Sequence, residues 1–123
     1  MIQPCPMCGQ QPSRGVPWRG RVILRCYHAN AMIGTGSWRN PKTAEREWND
    51  GVLALRPSCT GEIYPCPVCG EVPSLHSTDS SHIVQCQHWG SNFIYDSMTA
   101  TTAADAVENW NSGIRMMKEK VTA

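Results

Sequence analysis

The sequence CPMCG begins at Cys5, and CPVCG begins at Cys66, 61 positions later. Each is a turn built for a metal ion. Two cysteines separated by two residues can place both sulfurs on one centre. Proline fixes one backbone angle, and the closing glycine admits the positive φ that completes the turn. A chain of 123 residues that writes this turn twice is strongly constrained. It must bring further ligands to each turn, and it must do so in two places.

The repetition runs well beyond the turns. Cys26 and His28 recur as Cys86 and His88, offset by 60. EWNDG (47–51) recurs as NWNSG (109–113), offset by 62. Pro12-Ser13 matches Pro73-Ser74, and Ala44 matches Ala106. These features keep one order and nearly constant spacing, which marks two copies of one unit. The first copy is assigned to 1–56 and the second to 62–123, with a linker at 57–61. Cys59 lies in that linker, has no counterpart, and reads as a free thiol. A piece of ~60 residues buries only a modest core and commonly needs a staple.

Each copy reads as small α+β. After the CPxCG knuckle comes a polar hairpin, then a strand rich in β-branched residues, RVILRC or SHIVQC. A second strand is expected at AMIG (31–34) and at SNFIYD (91–96). One helix closes each copy. Asn40 suits an N-cap with Pro41 at the first helical position, Thr101 or Thr102 can cap the second helix, and Gly113 is expected to stop it. Ala44 and Trp48 share a helix face, as do Ala106 and Trp110. Both tryptophans are expected to pack on the sheet and knuckle rather than on a ligand.

Alternate residues of a strand point the same way, so a Cys-x-His can give two ligands to one ion. Two tetrahedral Cys3His sites follow: Cys5, Cys8, Cys26 and His28, then Cys66, Cys69, Cys86 and His88. The cofactor expected is two structural zinc ions per chain, because a catalytic zinc keeps an open position and these sites do not. His76 and His82 do not repeat and read as ordinary hairpin residues. A redox role for the CxxC pairs would want a βαβ context, which is absent, and would leave Cys26, His28, Cys86 and His88 without purpose. No nucleophile, base and orienting acid recur together, so no enzyme is expected. No stretch approaches the ~20 apolar residues of a membrane span, and no apolar leader follows a basic start. Seven cysteines without such a leader suit a reducing cytoplasm.

CPxCG, a strand ending in Cys, and an Ala-containing helix ending in Trp-Asn together resemble the Lar restriction-alleviation family. The resemblance covers Gln3 to Gly51 and again Tyr64 to Gly113. It implies tandem zinc-ribbon-like repeats in a phage or prophage protein. Such a protein would act in the bacterial host cytoplasm, binding a host defence protein complex and blunting restriction or a related nucleic-acid-targeting system. The family usually carries one unit with a second Cys-x-x-Cys. Here Ala29 and Trp89 stand where its last cysteine would be, and histidine comes one residue earlier.

Charge separates the copies. Residues 1–61 carry eight Lys and Arg against three Asp and Glu, a net of +5; residues 62–123 carry three against seven, a net of −4. Opposite charges allow head-to-tail association into a homodimer. Arg14, Trp18, Arg19, Arg21 and Arg25 form an arginine-rich hairpin with one aromatic residue, a pattern that can contact phosphate and stack on bases. A nucleic-acid-binding or transcription-associated zinc ribbon is therefore the alternative. The sequence pI of about 7.6 is low for a dedicated nucleic-acid binder, which ranks a protein partner first.

Overall fold

The computed structural model describes residues 2–16, 19–86 and 93–122, with side chains to residue 119. Six antiparallel strands and two helices are described. The strands are β1 (Ser13–Gly15), β2 (Ile23–Tyr27), β3 (Ala31–Gly34), β4 (Ser74–Ser77), β5 (His82–Gln85) and β6 (Ile94–Ser97). The helices are α1 (Pro41–Ala54) and α2 (Ala103–Thr122). No described helix is long and apolar enough to cross a membrane.

The strand order is β1-β2-β3-β6-β5-β4, so both halves of the chain enter one sheet through the β3–β6 ladder. The order reads the same from either edge. At its middle Ile33 faces Tyr95, and these two residues are themselves 62 apart. The halves are laid out about a local two-fold axis there. Each half also carries the same irregularity. The β2–β3 ladder pairs Arg25 with Gly34, yet Val22 bridges to Trp38, which leaves one extra residue on the second strand. A hydroxyl fills the gap: the Leu24 N–H donates to Thr35 Oγ1 at 3.1 Å. In the other half the Val84 N–H donates to Ser97 Oγ at 2.8 Å, and His82 bridges to Ala100. This is a β-bulge whose orphaned donor is satisfied by a buried Thr or Ser.

Helix starts follow the expected chemistry. Asn40 Oδ1 accepts the Lys42 N–H at 3.0 Å with Pro41 in the first turn. Thr102 Oγ1 accepts the Asp105 N–H at 3.1 Å. The second helix does not stop at Gly113. It runs to Thr122, with Ala106, Trp110, Ile114 and Met117 buried along one stripe. Gly113 serves close approach instead of termination. A methyl there would overlap the Tyr95 hydroxyl and stand 3.0 Å from Ala31 Cβ. Gly51 plays the same part inside α1, where a methyl would come within 2.5 Å of the Phe93 ring. The expected strand starting at Ser91 appears as β6 from Ile94; Ser91 and Asn92 lie outside the described residues.

Both helices cover one face of the sheet. Trp48 meets Phe93 edge-on at 6.0 Å, and Trp110 meets Tyr95 at 4.7 Å. The Tyr95 hydroxyl donates to the Trp110 carbonyl at 2.6 Å. Burial, with the charge of Cys66 nearby, holds that phenol far above its ordinary pKa. The halves interlock in this layer. Phe93 of the second half lies against α1, and Ala31 of the first half lies against α2. Asn30 ties them further, donating to Ser112 Oγ at 2.7 Å and accepting the Met98 N–H at 2.8 Å.

Gly113→Ala is expected to destabilise the protein by about 1–3 kcal/mol through overpacking, although Ala is the better helix former by about 1 kcal/mol. Chemical denaturation checks this. Adding Tyr95→Phe, which removes the overlapping hydroxyl, should recover part of the loss.

Candidate metal centres

The two knuckles fold alike. The Cys5 N–H donates to the Gln10 carbonyl at 2.7 Å and the Gly9 N–H to the Cys5 carbonyl at 2.8 Å. At the second knuckle the Cys66 N–H donates to the Glu71 carbonyl and the Gly70 N–H to the Cys66 carbonyl, both at 2.8 Å. Gly9 and Gly70 have φ of 76° and 81°, the left-handed conformation that explains glycine at both places. The Met7 N–H lies 3.4 Å from Cys5 Sγ, as a knuckle amide serving a thiolate should.

At the first centre Cys5, Cys8, Cys26 and His28 bring their ligand atoms within 4.8 Å of one another. Cys8 and Cys26 sulfurs are 3.6 Å apart, and His28 Nε2 is 3.6 Å from Cys5 Sγ and 3.4 Å from Cys26 Sγ. Around an ion with metal–sulfur bonds of about 2.3 Å, tetrahedral edges are about 3.8 Å between sulfurs and about 3.5 Å from sulfur to nitrogen. The cluster fits that frame. The spacings are far too wide for a disulfide of about 2.05 Å. His28 is oriented for the task. Its Nδ1 lies 3.1 Å from the Ala31 carbonyl, which takes the ring proton there and frees Nε2 as the ligand. The Cys26 side chain belongs to the helix-covered face, in line with Ile33 and Tyr95.

At the second centre Cys66, Cys69 and Cys86 also bring their sulfurs within 4.8 Å of one another, with Cys69 and Cys86 at 3.2 Å, closer than the edge of about 3.8 Å that a bound ion would set. His88, the expected fourth ligand, lies outside the described residues. The centres differ in exposure: Cys5 and Cys66 are buried, Cys8 is half-buried, and Cys69 is exposed. Cys59 joins neither cluster and packs against the core from the linker.

The thiols alone resist sharing charge. Burial pushes Cys5 up, against the Met7 and Cys8 N–H groups. Burial raises Cys8 too, but hydrogen bonds from His28, the Gln10 N–H and the neighbouring thiols bring it down to about 7. Cys26 is held far above the thiol range by burial and by the charges of Cys5 and Cys8. Burial takes Cys66 up to about 11 and Cys86 further still. Three thiolates can therefore stand together near neutral pH only around a compensating cation.

The repeated Trp-Asn dipeptide locks each knuckle to its helix. Trp48 Nε1 donates to the Gln3 carbonyl at 2.7 Å, and the Gln3 N–H donates to Asn49 Oδ1 at 2.8 Å. Trp110 Nε1 donates to the Tyr64 carbonyl at 2.8 Å, and the Tyr64 N–H donates to Asn111 Oδ1 at 2.9 Å. In both halves adjacent side chains thus satisfy both backbone groups of the residue two places before the first cysteine. Sequence reasoning placed the tryptophans in the core but gave Asn49 and Asn111 no role. Their recurrence beside Trp was the available signal.

The arginine-rich segment is not one surface. The ladder sets Arg14 opposite Leu24 and Arg25 opposite Ser13, so these two arginines leave opposite faces of the sheet. Arg19 is exposed, and Arg21 Nη1 donates to the Ser37 carbonyl at 3.2 Å. Trp18 lies outside the described residues.

Asn49→Ala should cost about 1–3 kcal/mol, because the half-buried Gln3 N–H loses its partner. Asn49→Asp, which keeps the acceptor oxygen, should cost less; urea melts of the metal-loaded protein compare the two. Comparison with protein-family models, curated proteins and solved structures gives no match to this chain.

Proposed function

We propose that the chain is a pair of tandem zinc-ribbon-like repeats, each stapled by one structural zinc ion, which serves as a non-catalytic binding module. The single observation that carries this reading is the first centre. Four protein ligands converge there, and the imidazole is fixed by a backbone carbonyl, which leaves an ion no open position. Thiolate-rich donors with one imidazole suit zinc among the common ions. A closed centre contributes to folding and not to chemistry.

The target is read through the Lar-like pattern. Its residues are the ones with evident work in this fold: CPxCG shapes the knuckle, and Trp-Asn clamps it. By that resemblance the protein is a phage-type counter-defence factor that binds a host defence complex in the bacterial cytoplasm and inhibits or modulates it. The split of charge between the halves suits a protein partner with its own divided surface.

The test is the plating of unmodified phage on a restricting host that expresses the gene. Plating should rise with the intact gene and stay at the restricted level with Cys26→Ser. If it is unchanged across hosts with different restriction systems while the protein accumulates folded and metal-loaded, the counter-defence reading is wrong.

A further inference from the structure

The helices cover one face of the sheet; the other carries no helix and is open at Tyr27, while Ile23 and Met32 on it are buried. On that open face β2 presents Arg25 and Tyr27, which sit in adjacent cross-strand rows: Arg25–Gly34–Ile94 and Tyr27–Met32–Asp96. Tyr27 is 59% exposed. Trp48, Trp110, Tyr95 and Phe93 are at most 2% exposed, and Trp38 and Tyr64 are half-buried against the core. Among the described residues no aromatic or cation–π contact involves the Tyr27 ring.

Arg25 is held beside that ring. Gly34 leaves a hollow on the neighbouring strand, and the Arg25 stem occupies it: a methyl at Gly34 would stand 2.5 Å from Arg25 Cγ. The guanidinium is thereby laid along the sheet, and its Nη1 donates to the Tyr27 hydroxyl at 3.2 Å. Its Nε is buried with no hydrogen-bond partner among the described residues. Arg21 and Arg19 stand on the segment leading into the same strand. The repeat itself does not demand this set. By the offset of 60, Arg21 and Arg25 correspond to Ser81 and Gln85 in the second half. The basic and aromatic side chains were thus placed on one half of a shared scaffold.

We infer that the open face of β2 is a binding surface for single-stranded nucleic acid, with Tyr27 as the stacking platform and Arg19, Arg21 and Arg25 as phosphate contacts. A solvent-facing ring beside a flat guanidinium is the arrangement that accepts an unpaired base, whatever its identity. In a duplex the base faces are stacked on one another and only their edges are presented in the grooves, whereas a single strand leaves its base faces free to stack on an exposed ring. The +5 balance of the first half supplies the field, and Asp96 closes the row on the far side, which keeps the phosphates to the first half. The inference does not depend on which defence complex the protein engages. It redraws the expected contact set: Tyr27 enters, and Arg14 leaves because it lies on the helix-covered side.

Fluorescence anisotropy of a labelled oligothymidylate with the zinc-loaded full chain tests it. Saturable binding is expected at low salt. Tyr27→Ala should weaken it by about 5- to 150-fold, the range seen for loss of one stacked base. Tyr27→Phe should retain most of it. Arg25→Gln should reduce the slope of log K against log salt by about 0.7, the share of one phosphate contact on a single strand. Arg14→Gln should matter little. Circular dichroism and metal content establish that each variant is folded. Absence of binding at low salt overturns the inference and leaves the face to a protein partner. So does binding that is indifferent to Tyr27→Ala, or a duplex of equal length that binds as tightly.

Discussion

Three thiolates cannot crowd within 4.8 Å of one another near neutral pH without a cation among them. That constraint organises the molecule. The knuckles at Cys5 and Cys66 bring sulfurs and backbone N–H groups together, and the strands ending near Cys26 and Cys86 complete each set. Burial and mutual repulsion hold Cys26 and Cys86 protonated unless a positive charge intervenes. A bound ion relieves the repulsion and fixes the arm, the hairpin and the strand at one point. In a unit of ~60 residues, with little apolar surface to bury, such a staple is a large part of what defines the fold.

From the staple outward, the next link is the Trp-Asn clamp. It ties the arm before each knuckle to its helix by two hydrogen bonds to one residue, Gln3 or Tyr64. The helix then carries Trp48 or Trp110 down onto the sheet, where both are fully buried. The two halves meet in the same layer, and their likeness breaks down there. Ala31 in one half answers to Phe93 in the other, and Ile33 faces Tyr95 across the local two-fold axis. Small residues of one half make room for large residues of the other. Gly51 and Gly113 give the helices the clearance those rings need. A duplicated unit has in this way become one sheet whose halves are no longer interchangeable.

Much of this was legible in the sequence. The CPxCG turns, the Cys-x-His pair at Cys26, the capping residues Asn40 and Thr102, and the strand at Ala31–Gly34 are all local signals, and local geometry decides them. What was not legible depends on the meeting of distant parts. Gly113 reads as a helix stop until Tyr95 is placed against it. Asn49 and Asn111 look like surface polar residues until the arm returns to them. The β3–β6 pairing that joins the halves has no signature, since AMIG and SNFIYD read only as strands. The arginine hairpin shows the limit of composition: Arg14 and Arg25, which look like parts of one basic patch, leave opposite faces of the sheet once the register is set.

Each half should be held by its own ion, and native mass spectrometry of freshly purified protein, repeated after acidification, decides it. Two zinc ions per chain are expected, lost together with the compact charge-state distribution as protons displace them from the thiolates. A folded, metal-free chain would contradict it, as would masses showing the cysteines paired as disulfides.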